Sequence, residues 1–212
     1  MKTVYFVRHG ATDNNTAERY NTLETPLSSI GYEQAKIVAD RCARLPIEVV
    51  LSSTIARAQE TARIIAERTE LKIGSSDLFR ERGTPRGLLG KSRSDPEARE
   101  YERAWWRDLE NQAKHFSDGE TFEDMRTRVG KAVEYLEGRS ENNILVVTHG
   151  FFLQFLIAYV IFGAKLTGDE MAIVKPVFSM ENVGLTILRH QPNKNARTPW
   201  TIWIWNDHAH LG

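Results

Sequence analysis

The sequence predicts an α/β domain built on a mainly parallel sheet. Three observations predict it. Short apolar runs alternate with amphipathic helical runs from the start of the chain, and that order favours parallel strands joined by crossover helices. Three of the apolar runs end in polar, chemistry-bearing residues: Arg8-His9-Gly10, Ser52-Ser53 and Thr148-His149-Gly150. In open α/β sheets ligands bind at the carboxyl ends of the strands, so this is where such residues belong. The length, 212 residues, suits one domain carrying a modest insertion.

Taken in order, Thr3 to Val7 reads as a buried strand running into Arg8-His9-Gly10, where the glycine allows a sharp turn and close approach of a ligand. A polar loop, Ala11 to Pro26, follows. Ser28 is an N-cap for a helix over Ile30 to Arg44, with Ala35, Val38, Ala39 and Cys42 on one side, and Pro46 stops it. Ile47 to Leu51 is the second strand. Ile55 to Arg68 is the second helix, with Ile55, Ala58, Ala62, Ile65 and Ala66 at helical spacing, and Leu71 to Ile73 is a short third strand.

The rhythm then breaks. Leu78 to Ser94 is rich in Arg, Gly and Pro, and Asp95 to about Phe116 is a charged helix carrying Trp105 and Trp106. Both read as a cap-like helical insertion, about 78–118, over the active site of a single domain spanning 1–212. Thr121 and Asp124 form a capping-box pair for a helix running to Gly138. Ile144 to Val147 is a strand and Phe151 to Phe162 its helix. Val183 to Arg189 and Trp200 to Trp205 are the last strands, joined by a polar connection, Gln191 to Pro199, and the three tryptophans of the final strand are expected to pack on the sheet.

Composition excludes several classes. Lys plus Arg and Asp plus Glu both number 28, so nothing favours nucleic acid or an anionic membrane, and anion binding must come from local arginine clusters. The one cysteine, Cys42, excludes a disulfide framework and fits a reducing cytoplasm. No signal peptide is visible, because the first apolar run meets Arg8 after five residues. Ile144 to Phe162 nears the length of a membrane span, but Thr148-His149-Gly150 divides it into a strand and a core helix.

If the three strand ends share one sheet edge, two histidines and two arginines gather beside helix N-termini, a setting for a phosphoryl dianion. Arg8 and Arg57 would clamp phosphate oxygens with their guanidinium forks. A neutral imidazole can attack phosphorus, so His9 is the candidate nucleophile, kept neutral by the two arginines. His149, protonated by contact with the dianion, would stabilise transition-state charge. The leaving alkoxide needs a proton, and Glu81 is the sole carboxylate between Asp77 and Asp95. Arg82 and Arg86, within an arginine-rich stretch around Glu81, are candidate contacts to a second anionic group. His115, His190, His208 and His210 read as structural or solvated, and a metal site at Asp207, His208 and His210 is disfavoured against a frayed tail.

The run Arg8-His9-Gly10-Ala11-Thr12-Asp13-Asn14-Asn15 fits the Arg-His-Gly-x-Thr-x-x-Asn signature of the histidine phosphatase superfamily, the phosphoglycerate mutase-like proteins. Ser52-Ser53 with Arg57-Ala58 and Thr61-Ala62 resembles the second motif, Thr148-His149-Gly150 the third, and Asn206-Asp207 with His210-Leu211 the C-terminal ending. The resemblance implies a three-layer αβα sandwich and a phosphorylated His9. It implies Arg8, Asn15, Arg57, His149 and Gly150 around the phosphate, Glu81 as proton donor, and no metal or other cofactor. One departure is that Glu81 is followed by Pro85, Gly87 and Gly90, where the family places glycines four and eight positions on. Arginine-bearing segments like those of mutases are not evident, which favours a phosphatase over a mutase. The expected partner is therefore a small phosphorylated substrate. The alternatives are mutase-type phosphoryl transfer and, from another class, a non-catalytic phosphate-binding module. The Trp-rich final strand offers a surface for a homodimer.

Overall fold

The computed structural model of the chain describes residues 1–111, 118–192 and 198–212. Six strands form one sheet in the order β3-β2-β4-β1-β5-β6. They are β1 (Lys2–Arg8), β2 (Val49–Ser52), β3 (Ile73–Ser75), β4 (Asn143–Thr148), β5 (Leu185–His190) and β6 (Trp200–Asp207). The first four run parallel, while β5 is antiparallel to both β1 and β6. The helices are α1 (Asp13–Thr16), α2 (Ser29–Cys42), α3 (Ala56–Thr69), α4 (Pro96–Asn111), α5 (Phe122–Glu137), α6 (Gly150–Phe162) and α7 (Gly168–Val177).

Side chains alternate across a strand, so each central strand feeds two cores. Val4, Phe6, Leu51, Ile144 and Val146 pack under α5, α6 and α7. Tyr5, Val7, Val50, Leu145 and Val147 pack under α2 and α3. This is the three-layer αβα sandwich. No helix among the described residues is long and apolar enough to cross a membrane; α6 is buried as one of the layers.

Several boundaries differ from the sequence reading. The third strand is Ile73–Ser75 rather than Leu71 to Ile73, because its register with β2 starts at Val50↔Ile73. The first loop contains the one-turn helix α1, closed by a capping box between Thr12 and Asn15. Helix α7 has no counterpart in the sequence reading, although Thr167 and Glu170 form a capping box at its start. Of the tryptophans on β6, Trp200 is buried and Trp205 stacks edge-on against Phe178, but Trp203 is exposed, with the Arg189 guanidinium 3.6 Å from its ring centre. The expected end of the insertion helix near Phe116, His115 and the middle of the β5–β6 connection lie outside the described residues.

The insertion shares a small core with the first loop: Leu88, Ala98 and Trp105 pack with Tyr20. Its one-turn helix Arg86–Leu88 packs on α4, and α4 packs on α7. The chain around residues 90–93 pairs with the first loop: Gly90 N–H donates to Tyr20 O, Tyr20 N–H to Lys91 O and Arg93 N–H to Glu18 O. The insertion and the loop after Gly10 thus form one continuous wall above the carboxyl edge of the sheet.

Candidate active site

The sheet register brings the two histidines together. Arg8 pairs with Thr148, so the next residues, His9 and His149, leave adjacent parallel strands side by side. Their ring centres are 5.1 Å apart and both are buried. Strand β2 ends beside them, with Ser53 N–H donating to Val147 O. The next helix, α3, then carries Arg57 in its first turn.

His9 is held in one tautomer. Its Nδ1 lies 2.7 Å from the Gly10 carbonyl, which can only accept, so the proton sits on Nδ1. Its Nε2 accepts from Arg57 Nε–H at 3.1 Å and is therefore the bare nitrogen. Burial, then Arg57 and Arg8, hold the imidazole well below its usual range, opposed by the Gly10 carbonyl. Gly10 is required by the fold: a Cβ there would stand 2.5 Å from Gly31 O at the start of α2.

Arg57 is 4% exposed; it also donates from Nη1 to Thr22 O at 2.9 Å, and burial brings its guanidinium down to about 10, against the pull of Glu81. Arg8 donates to Met180 O through Nη1, while its Nε is buried without a partner among the described residues. His149 Nε2 is 2.8 Å from Ser53 Oγ, and its Nδ1 is also buried without a partner. Burial first, then Arg57, His9 and Arg8, drive His149 well below its usual range. The protonated form expected from the sequence therefore needs the charge of a bound dianion. Gly150 opens α6, where a Cβ would stand 3.5 Å from Arg8 Nε.

Glu81 sits at the N-terminus of α6. Its carboxylate accepts from Phe152 N–H at 2.9 Å, Phe151 N–H at 3.3 Å and Arg82 N–H at 3.1 Å. Asn15 uses Oδ1 in the cap of α1, accepting from Thr12 N–H at 3.1 Å, which leaves its amide N–H groups to donate. Arg8, His9, Asn15, Arg57, Glu81, Arg82 and Arg86 all line one cavity of about 460 Å³; His149 and Gly150 do not line it.

The two insertion arginines do different jobs. Arg82 is 3% exposed and donates to Glu120 O and Trp105 O, with its guanidinium 3.7 Å from the Trp105 ring centre. It is a strut holding α4 to the cavity wall. Arg86 has a side chain 91% exposed and pairs with Asp118 at 3.2 Å. The sequence reading missed Thr61 and Asn182, which bond to the backbone around His9. Thr61 lay within the second motif, but nothing in the pattern marked Asn182. At the chain end, Asp207 and His210 bond to Arg41 instead of fraying, and the described residues contain no cluster of His, Cys, Asp or Glu suited to a metal.

A family model, the histidine phosphatase superfamily (branch 1), matches residues 4–202. The chain belongs to the histidine phosphatase superfamily. A curated relative, the probable phosphoglycerate mutase GpmB of Enterobacter sp. (strain 638), is 30% identical across 100% of this chain and 95% of that protein. Among solved structures, a putative alpha-ribazole-5'-P phosphatase from Escherichia coli is 25% identical with a TM-score of 0.79, covering 98% of both chains. The mycobacterial glucosyl-3-phosphoglycerate phosphatase is 26% identical with a TM-score of 0.76, covering 97% of this chain and 98% of its own. This superfamily member thus has both phosphatases and a probable mutase among its relatives.

Proposed function

We propose that the protein hydrolyses a small phosphomonoester through a phosphohistidine on His9. One observation carries this reading: His9 presents a bare Nε2 beside Arg57 while Nδ1–H is tied to the Gly10 carbonyl. In the first step Nε2 attacks phosphorus, the bond to the ester oxygen breaks, and the leaving oxygen takes a proton from Glu81. Arg8, Arg57 and the Asn15 amide hold the phosphoryl oxygens, and the Gly10 carbonyl supports the charge that the phosphorylated ring acquires. In the second step Glu81 takes a proton from water, the water oxygen attacks phosphorus, and the phosphorus–nitrogen bond breaks to return neutral His9. His149 holds a proton against the dianion in both steps. The lone, buried Cys42 fits a reducing cytoplasmic setting.

Glu81→Gln tests the proton transfer. An alkyl phosphate needs its leaving oxygen protonated, so its turnover is expected to fall about 10²–10⁴-fold. An activated aryl phosphate leaves without that proton, so its first step is expected to change far less. Equal losses in the first, phosphohistidine-forming step on both substrates would remove Glu81 from the role of acid.

The mutase reading has one specific support, the 30% identical probable phosphoglycerate mutase. Conversion of 3-phosphoglycerate to 2-phosphoglycerate without phosphate release would establish it over hydrolysis. Arg86, exposed on the cavity wall, is our candidate for meeting a second anionic group of the substrate. Arg86→Ala is expected to raise KM for phosphorylated carboxylates about 10-fold and to leave simple monoesters unchanged. An identical effect on both classes would show that no second anion is read there.

A further inference from the structure

We propose that Thr61 and Asn182 are positioning residues that set the tautomer of His9 by clamping the His9–Gly10 peptide from both sides. Asn182 Nδ2 donates to the His9 carbonyl at 2.9 Å. Gly10 N–H, the other end of the same peptide unit, donates to Thr61 Oγ1 at 3.1 Å. With its oxygen and its hydrogen both held, the peptide plane is fixed. The following peptide, whose N–H (Ala11) donates to Gln34 Oε1 at 2.8 Å, starts from that plane and carries the Gly10 carbonyl that takes the Nδ1 proton of His9. The ring is thereby left with Nε2 bare toward Arg57.

Each clamp is tied to a second element of the site. Thr61 Oγ1 donates its own proton to Arg57 O at 2.8 Å, so the residue that fixes the peptide also fixes the helix turn carrying Arg57. Asn182 precedes Val183, whose φ of 55° is a left-handed conformation that β-branched residues rarely adopt. Val183 is fully buried and its N–H donates to Arg8 O at 3.0 Å. Strain of this kind persists where the surrounding structure over-determines it, and it clusters at functional sites. The segment around it also meets Arg8 through Met180 O and Gly184 O. A purely structural role would need the buried groups to be satisfied, but not both ends of the peptide that links His9 to the residue accepting its Nδ1 proton.

The kinetic consequence rests on the phospho-His9 reading, whereas the tautomer does not. The test is therefore a ¹⁵N measurement of the His9 ring nitrogens, alongside kcat on an aryl phosphate, binding of inorganic phosphate and the melting temperature. The wild type is expected to show a protonated Nδ1 and a bare Nε2. Thr61→Val and Asn182→Ala are expected to shift protonation toward Nε2 and to lower kcat by about 100-fold, the scale of a small misplacement of reacting atoms. Inorganic phosphate binding should be little changed, and Thr61→Ser should restore both tautomer and rate. Should Thr61→Val not fold, Asn182→Ala carries the same readouts. An unchanged tautomer in the folded variants overturns the proposal, whether or not kcat falls with the melting temperature. A wild type with Nδ1 protonated that hydrolyses no monoester would overturn the proposed function and leave the clamp standing.

Discussion

His9→Ala is expected to abolish turnover, with kcat on an activated aryl phosphate falling about 10⁴-fold or more, the scale seen when a covalent nucleophile is removed. The loss should be this large because the rest of the site cannot substitute for the ring. His149 Nε2 is engaged by Ser53 Oγ at 2.8 Å, and Arg57 donates but has no lone pair to offer. The measurement that checks the mechanism is a rapid quench of wild-type enzyme with substrate, followed by mass spectrometry under conditions that spare acid-labile phosphohistidine. One added phosphoryl group should map to His9 and disappear as inorganic phosphate accumulates. His9→Ala should still bind inorganic phosphate, since Arg8, Arg57 and Asn15 remain. Full turnover in that variant would move the nucleophile to another residue.

Lowering the pH is expected to destabilise the protein steeply, through the two buried histidines of the candidate site. Burial and the neighbouring arginines depress His9 and His149 well below 6.5 in the folded state. Unfolded, each takes up a proton near 6.5, so below that pH the unfolded state binds more protons and stability falls as the pH falls toward the folded values. Each histidine adds a slope of up to about 1.4 kcal/mol per pH unit in that window, and the pair about 2.7 kcal/mol. His190 and His210 are depressed as well, so the informative quantity is a difference between proteins. Urea midpoints measured from pH 7.5 to 5 should fall less for His149→Asn than for the wild type. Saturating inorganic phosphate should shallow the wild-type slope, because a bound dianion lets His149 keep its proton. Parallel slopes for wild type and variant would show that His149 is not held neutral in the folded protein.

The parts of this site that were legible in the sequence are those where one local pattern carried both structure and chemistry. An apolar strand ending in Arg8-His9-Gly10, another ending in Thr148-His149-Gly150, and Arg57 at the head of a helix could each be placed without tertiary information. Parallel pairing then did the rest. Glu81 could be singled out as an isolated carboxylate, but its seat on the backbone N–H groups of Phe151 and Phe152 depends on contacts distant in sequence. Arg82 shows the limit of counting charges. Within a run of arginines it looks like any solvated cation, yet it lies over Trp105 with its fork on two backbone carbonyls. Asn182 was invisible because its partner, the His9 carbonyl, is a backbone atom just past the end of β1, distant in sequence. Helix α7 carried its signal in Thr167 and Glu170, but Pro176 near its end weakens a helical reading.

The pairing of Arg8 with Thr148 has a consequence for how the molecule acquires activity. These residues stand far apart along the chain, and β5, from beyond both, must also dock on β1 before Val183 can close on Arg8. Contacts of such high sequence separation slow folding, because the loop-closure entropy is lost before they form. The two histidines of the candidate site therefore come together only when segments far apart along the chain have met. A fragment ending before β4 holds His9 but lacks His149, and recovery of turnover after refolding reports pairing of β4 and β5 with β1.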